Sequence, residues 1–202
     1  MAETSDRGGA PSPRTLRRQD TVRRILEAAW RLSRDRGLTG WTLRDLGAEV
    51  GMRAPSLYGY AESKNALFDL MFADGYRQLI GRIDDQERPE DPEELVREAA
   101  RLFVTFAAEE PARFQLLFQF TAPGFEPSEE SMGLARRALD ELAGALAAAG
   151  VVDPADVDLW TATLTGLASQ QVSNDPGGDR WRRLVDVAVD RLLVRPGTAP
   201  RP

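Results

Sequence analysis

The punctuation between Thr42 and Lys64 constrains this chain more than any other feature. Thr42, followed three residues later by Asp45, has the pattern of a capping box, so a helix starts there. Leu43, Leu46 and Val50 give that helix one apolar stripe, and Gly51 ends it after about nine residues. Gly47 lies beside the stripe, where a missing side chain lets another helix come close. After the turn "GMR", Pro55 suits the first position of a second short helix, where its absent N–H costs little. Ser63 then caps a third, with Lys64 in its first turn. Two short helices joined by a tight glycine turn make a helix-turn-helix pattern.

Helical periodicity surrounds this segment. From about Gln19, Val22, Ile25, Leu26 and Ala29 fall at i, i+3, i+4 and i+7, with Arg17, Arg18, Arg24, Arg31 and Arg34 mostly off that stripe. Gly37 is placed for a left-handed cap. Beyond Lys64, breakers recur at regular intervals. A long helix is predicted over 64–84, and Asp91-Pro92 and Glu110-Pro111 each start another. Residues 121–128 read as a loop, Ser128 to Gly150 as a helix, Asp153-Pro154 as the start of the next, and 179–194 as the last. No strand pattern and no internal repeat is present, so the fold class is all-α with about nine helices. The expected organisation is a disordered arm over 1–14, a helix-turn-helix domain over 15–62, a helical effector and dimerisation domain over 63–195, and a disordered tail over 196–202.

Composition narrows the chemistry. The chain has 202 residues and is 42% hydrophobic, enough for a sizeable core. It contains neither cysteine nor histidine, which removes thiol nucleophiles, thiolate metal sites and the commonest general base. No carboxylate pair sits in a recognisable catalytic setting, so neither an enzyme nor a metal or organic cofactor is expected. No apolar run approaches the roughly 20 residues that cross a bilayer, and the N-terminus lacks an apolar signal segment. The expectation is a cytoplasmic protein with no membrane partner.

The net charge of −6 hides an asymmetry. Residues 1–60 hold eleven Arg against seven Asp and Glu, a local charge of +4; the remainder holds 15 basic and 25 acidic residues, a charge of −10. A basic head suits a polyanion, although an arginine-rich solvated helix face gives the same count.

The segment from Ile25 to Leu70 resembles the DNA-binding domain of TetR-family transcriptional regulators. The matching residues are Ile25-Leu26, Ala28-Ala29, Gly37, Thr42, Leu46-Gly47, Gly51, Leu57-Tyr58 and Ser63-Lys64, in order and in spacing. The resemblance covers about a quarter of the chain. Some positions depart from the family pattern: Ala61 stands where an aromatic is usual, Glu62 near a usual proline, Tyr60 where His is frequent, Asn65 where an acidic residue is frequent, and Gly47 where Ala is usual. A missing aromatic at Ala61 is expected to loosen packing behind the recognition helix unless Tyr60 or Trp41 fills the space. Residues 159–181 are similar to the penultimate helix of a TetR subgroup with a Trp, His, Gly pattern; Trp160 and Gly166 match, while Thr165 holds the histidine position.

The helix-turn-helix pattern and the resemblance together define candidate sites. A second helix over about Ala54–Tyr60 enters the major groove and presents its N-terminal half to base edges. Arg53 can grip a phosphate or donate twice to guanine, Ala54 and Pro55 can meet a thymine methyl, and Ser56 can bond either a base or a phosphate. Tyr58 and Tyr60 offer hydroxyls to the backbone, while Thr42, Arg44 and Lys64 are candidates for holding it. Each has a plain counterpart: Tyr58 as a packing residue, Arg44 and Arg53 as solvated charges, Lys64 as an exposed helix position. The resemblance implies a homodimer on double-stranded DNA bearing a palindromic operator, with the last two helices at the interface. Leu184, Val185, Ala188, Leu192 and Leu193 form a stripe for that role or for packing within one subunit.

Phe103, Phe106, Phe114 and Phe118, with Phe120 and Phe125 nearby and with Trp160, Leu164 and Leu167, line either an apolar effector cavity or an ordinary core. Thr163 and Gln171 share a face with Trp160 and Leu167 and can orient a polar ligand group. The expected function is a ligand-responsive transcriptional repressor. A regulator of the same fold without an inducer, acting as an activator or architectural factor, is the alternative.

Overall fold

The structure is a computed structural model, described here for residues 12–193. Of the arm expected over 1–14, residues 1–11 lie outside the described residues, as do residues 194–202, while Ser12 caps the first helix and Pro13 and Arg14 begin it. Nine α-helices and no strand are present among those described.

Helix α1 spans Pro13–Arg36. The Ser12 hydroxyl accepts the Thr15 N–H at 3.2 Å, and Pro13 fills the first helical position. The helix thus begins six residues ahead of Gln19, where the apolar period becomes visible. The early turns are wholly exposed and bury nothing, so periodicity gives no sign of them. Farther along, Ile25, Leu26, Ala29, Trp30 and Leu32 enter the core.

Helices α2 (Leu43–Glu49), α3 (Ala54–Tyr58) and α4 (Lys64–Asp84) complete the N-terminal unit. Leu46, Leu57, Leu67 and Phe68 join Ile25, Trp30 and Trp41 in one core. The same core continues along α4, where Met71, Phe72, Tyr76 and Leu79 join it to Phe106, Leu116 and Leu117 of the body. The Trp30 indole N–H donates to Asp74 at 2.9 Å, tying α1 to the middle of α4.

The body contains α5 (Pro92–Glu109), α6 (Pro111–Phe114), a π-helical turn at Gln115–Gln119, α7 (Glu129–Ala148), α8 (Pro154–Asn174) and α9 (Val185–Leu193). Asp91, Ser128 and Asp153 cap their helices as their spacing predicts. A second core gathers Val96, Ala100 and Val104 of α5, Leu146 of α7, Trp160 and Leu164 of α8, and Val185 and Val189 of α9.

The last helix is shorter than the sequence pattern suggests. Residues 175–181 stay a loop, followed by a 3-10 turn over Arg182–Leu184 and then α9. Buried Gln171 holds the loop open: its side-chain oxygen accepts the Trp181 and Arg182 N–H groups at 2.9 and 3.2 Å. Of the C-terminal stripe, Val185 is buried against the second core, Ala188, Leu192 and Leu193 pack partly on it, and Leu184 is exposed. Arg97 donates to Asp190 at 2.8 Å and Arg101 to Asp186 at 2.9 Å, which mounts α9 on α5.

Candidate nucleic-acid interface and effector cavity

The interface begins at the α2 cap. Asp45 N–H donates to the Thr42 hydroxyl at 3.2 Å, and the Asp45 carboxylate accepts the Thr42 N–H at 2.8 Å and its hydroxyl at 2.7 Å. Those bonds from the Thr42 side chain and backbone hold the Asp45 carboxyl below its usual value. Thr42 is therefore committed first to its own helix. Arg44, in the first turn of α2, is exposed.

The turn after α2 explains two glycines. Gly51 sits at φ +68, which L side chains rarely adopt. A Cβ on Gly47 would lie 2.9 Å from the Met52 carbonyl, and Met52 N–H donates to the Gly47 carbonyl at 2.8 Å. The close approach expected at Gly47 is therefore to the turn backbone, with the Leu57 side chain farther away at 3.9 Å.

Helix α3 is anchored by one residue. Leu57 is 1% exposed, while Arg53, Ala54, Pro55, Ser56 and Tyr58 all face outward. Tyr58, at 52% exposure, is not a packing residue. The helix ends at Tyr58, two residues before the expected Tyr60. Tyr60 is half-buried against the N-terminal core, and the Arg18 guanidinium carbon lies 4.9 Å from its ring centroid. Ala61 is buried in the same core as Leu57 and Trp41, and the Trp41 ring lies edge-on to Phe68 at 6.2 Å.

Lys64 is not an open cation. Its ammonium donates to the Trp41 carbonyl at 2.5 Å and lies over the Trp41 and Phe68 rings, and burial lowers its pKa from the usual lysine value. Other cations of the N-terminal unit are also paired: Arg31 with Glu49, Arg34 with Glu110, and Arg36 with Asp45. Among the described residues Arg44 and Arg53 form no ion pair.

A cavity of about 550 Å³ opens in the body between α4, α5, α7 and α8. Leu79 and Ile83 line it from α4, Leu102 and Phe103 from α5, Met132, Leu139 and Leu142 from α7, and Leu164 from α8. Phe118 joins the lining from the π-helical turn, edge-on to Phe103 at 5.0 Å. Tyr76 and Thr165 add hydroxyls, Thr161 lines it with its own hydroxyl donated to the Val157 carbonyl at 2.9 Å, and Gln86, Arg88, Glu98, Arg136 and Glu141 bring polar groups to the lining. Burial pushes the Tyr76 hydroxyl well above its usual range, so it stays a neutral donor.

Of the residues named from sequence, Phe103, Phe118 and Leu164 line this cavity. Phe106, Phe114 and Trp160 are buried in the cores instead, and Leu167 packs on the second core. Thr163 turns its hydroxyl to the Leu159 carbonyl at 2.8 Å, and the Gln171 amide is occupied by the 175–182 loop. The helical phase accounts for the difference. Thr161, Leu164 and Thr165 form the cavity face of α8, one step around from Trp160, Thr163 and Leu167. The α7 wall was readable as the i, i+3, i+7, i+10 series of Met132, Ala135, Leu139 and Leu142. Among the described residues no cluster of acidic side chains could hold a metal ion, and no helix is long and apolar enough to cross a membrane.

An exposed short helix on a glycine turn, joined by a long helix to a body with an apolar cavity, defines a helix-turn-helix protein with a separate helical domain. Comparison with known proteins agrees. The family model "Bacterial regulatory proteins, tetR family" matches residues 25–71, and "Tetracyclin repressor-like, C-terminal domain" matches residues 96–194. The chain belongs to the TetR family, a family of regulators and not of enzymes. It is 29% identical over 135 residues to the HTH-type transcriptional regulator Rv1816 of Mycobacterium tuberculosis, covering 65% of this chain and 58% of that protein. The chain thus spans less than two thirds of that curated relative's length. Among solved structures it is similar to a TetR regulator from Haloarcula marismortui, with TM-score 0.69, 17% identity, 87% of this chain and 97% of that one. SCO0520 from Streptomyces coelicolor gives TM-score 0.55 and 27% identity over 85% of this chain and 97% of that one. AibR, solved in complex with isovaleryl coenzyme A and operator DNA, gives TM-score 0.63 and 22% identity over 86% of this chain and 98% of that one.

Proposed function

We propose that this chain is a dimeric, ligand-responsive DNA-binding regulator of transcription, a repressor released from a palindromic operator by a small apolar or amphipathic molecule. The observation that carries the reading is α3: a helix whose single core anchor, Leu57, leaves Arg53 to Ser56 and Tyr58 free to meet a groove. Arg53 and Ser56 read base edges, and Tyr58 and Arg44 position the backbone. AibR's complex with operator DNA and an acyl coenzyme A supports pairing such a helix with a ligand cavity. The ligand here is apolar over most of its length, with a polar group toward Thr165 or the charged rim.

Two copies meet through α8, the 3-10 turn and α9, where Leu159, Leu184 and Val187 stay exposed, Leu159 by 64%. The protein acts in the cytoplasm, where its operator lies. Coupling runs through elements that touch both ends. Phe118 lines the cavity while its neighbour Leu117 packs against Gly75 of α4. Arg34 of α1 bonds Glu110 ahead of α6 at 2.9 Å. A ligand that favours a different seating of the π-helical turn shifts the spacing of the two recognition helices, and only that difference in affinity releases DNA.

The test is to select a duplex from a random library with the full chain, then titrate apolar and amphipathic compounds against the complex. Release by a compound that also binds the free protein supports the reading. Tight, selective DNA binding that no cavity-binding compound alters leaves a regulator without an inducer.

A further inference from the structure

The first turns of α1 bury nothing: residues 12–20 are all exposed. Their surface is basic, since Arg14, Arg17 and Arg18 fall at i, i+3 and i+4 on one ridge. The ridge has a fixed place relative to the recognition helix. The Arg18 guanidinium carbon lies 4.9 Å from the centroid of the Tyr60 ring, and Tyr60 comes two residues after the end of α3. Stacking on an aromatic ring removes rotamer freedom from a long side chain and leaves the planar guanidinium edge open to solvent. Nearby acids do not neutralise the ridge. Asp20 is paired with Arg23 at 2.5 Å, and Arg23 also holds Glu27 at 2.9 Å. Among the described residues, Arg14, Arg17 and Arg18 form no ion pair.

We propose that the Arg14–Arg17–Arg18 ridge is a second DNA-contact surface, gripping the phosphate backbone beside the groove that α3 enters. The proposal rests on the DNA-binding reading above and extends it to a part of the chain outside the helix-turn-helix. A ridge of guanidinium groups on helical turns that bury nothing suits a row of phosphates: each group presents its donors in a plane that matches phosphate oxygens. The contact is sequence-independent, so it adds affinity and footprint length without changing the preferred bases.

The experiment measures binding of the full chain to a labelled random-sequence duplex of about 30 base pairs across a sodium chloride series. Each lost phosphate contact lowers the slope of log K against log salt by about 0.9, so the R14A/R17A/R18A variant should lose roughly 2.7 per chain. Arg23→Ala, whose side chain is already paired, should keep the wild-type slope. Should the triple variant lose helical signal, Arg14→Ala and Arg17→Ala alone should each lose about 0.9. A folded triple variant with the wild-type slope overturns this proposal and leaves the recognition helix untouched. A wild-type chain with no salt-dependent binding overturns the DNA-binding reading itself.

Discussion

The Lys64 ammonium donates to the Trp41 carbonyl at 2.5 Å and lies 4.4 Å from the centroid of the Trp41 ring. The first residue of α4 is thereby locked to the segment that enters α2, fixing the frame in which α3 is displayed. Lys64→Met keeps the stem and removes the donor. It should cost about 1 kcal/mol of stability in urea unfolding, the worth of one partly exposed hydrogen bond. Unchanged stability with a DNA-binding salt slope lower by about 0.9 would instead make Lys64 a phosphate contact only.

The α2 cap is acid-sensitive. The Asp45 carboxyl is held below its ordinary value near 3.8 by hydrogen bonds from Thr42. A depressed carboxylate contributes stability that is fully present above the ordinary value and is lost as pH falls through the folded one. The contribution should therefore vanish only below about pH 3.8, and Asp45→Asn should flatten that part of the stability profile followed by circular dichroism. Parallel profiles for the two proteins would contradict the cap assignment. Thr42→Ala should cost about 1 kcal/mol at neutral pH.

Gln171 is a loop anchor. Gln171→Leu leaves the Trp181 and Arg182 N–H groups without their acceptor and should cost about 2 kcal/mol in urea unfolding. A variant of native stability that loses only ligand affinity would return Gln171 to the ligand.

The helix-turn-helix was legible because its signals are local. The Thr42–Asp45 box, Gly51, Pro55 and the Ser63 cap each depend on neighbours within a few residues. The cavity was less legible because it is a property of helical phase across four elements. Trp160 and Phe114 look like ligand residues in sequence, yet large aromatic rings are also what a core buries, and both lie fully inside. The start of α1 and the length of α9 escaped for opposite reasons. Residues 12–20 bury nothing that periodicity can register, and the 175–182 loop is held by a glutamine one helix earlier.

Filling the cavity should separate sensing from DNA binding. Ala99 lines it from α5, and Ala99→Phe puts a ring into the apolar space. The variant should bind an apolar naphthylamine fluorophore at least about tenfold more weakly while DNA affinity stays within about twofold, a difference above 1 kcal/mol. Equal fluorophore binding by both proteins would place the ligand elsewhere.

Arg113 is 7% exposed, and its Nε and Nη1 have no hydrogen-bond partner; the guanidinium lies 4.8 Å from the Phe106 ring centroid. Burial lowers its pKa from the usual arginine value, the mark of an expensive charge. Arg113→Met should leave stability unchanged or raise it by about 1 kcal/mol. A loss of several kcal/mol would show that the charge is paired in solution.

The proposed function stands on α3 reading DNA from its outward face. The most direct measurement is selection of random-sequence duplexes by the full chain, repeated with R53A/S56A, two exposed positions whose loss leaves Leu57 and the core intact. The wild type should enrich a palindrome with half-site centres about one helical turn apart, roughly 34–36 Å. The variant should lose preference at defined positions of each half-site while keeping salt-dependent binding. An identical motif from both proteins, or no motif from the wild type, would contradict the account.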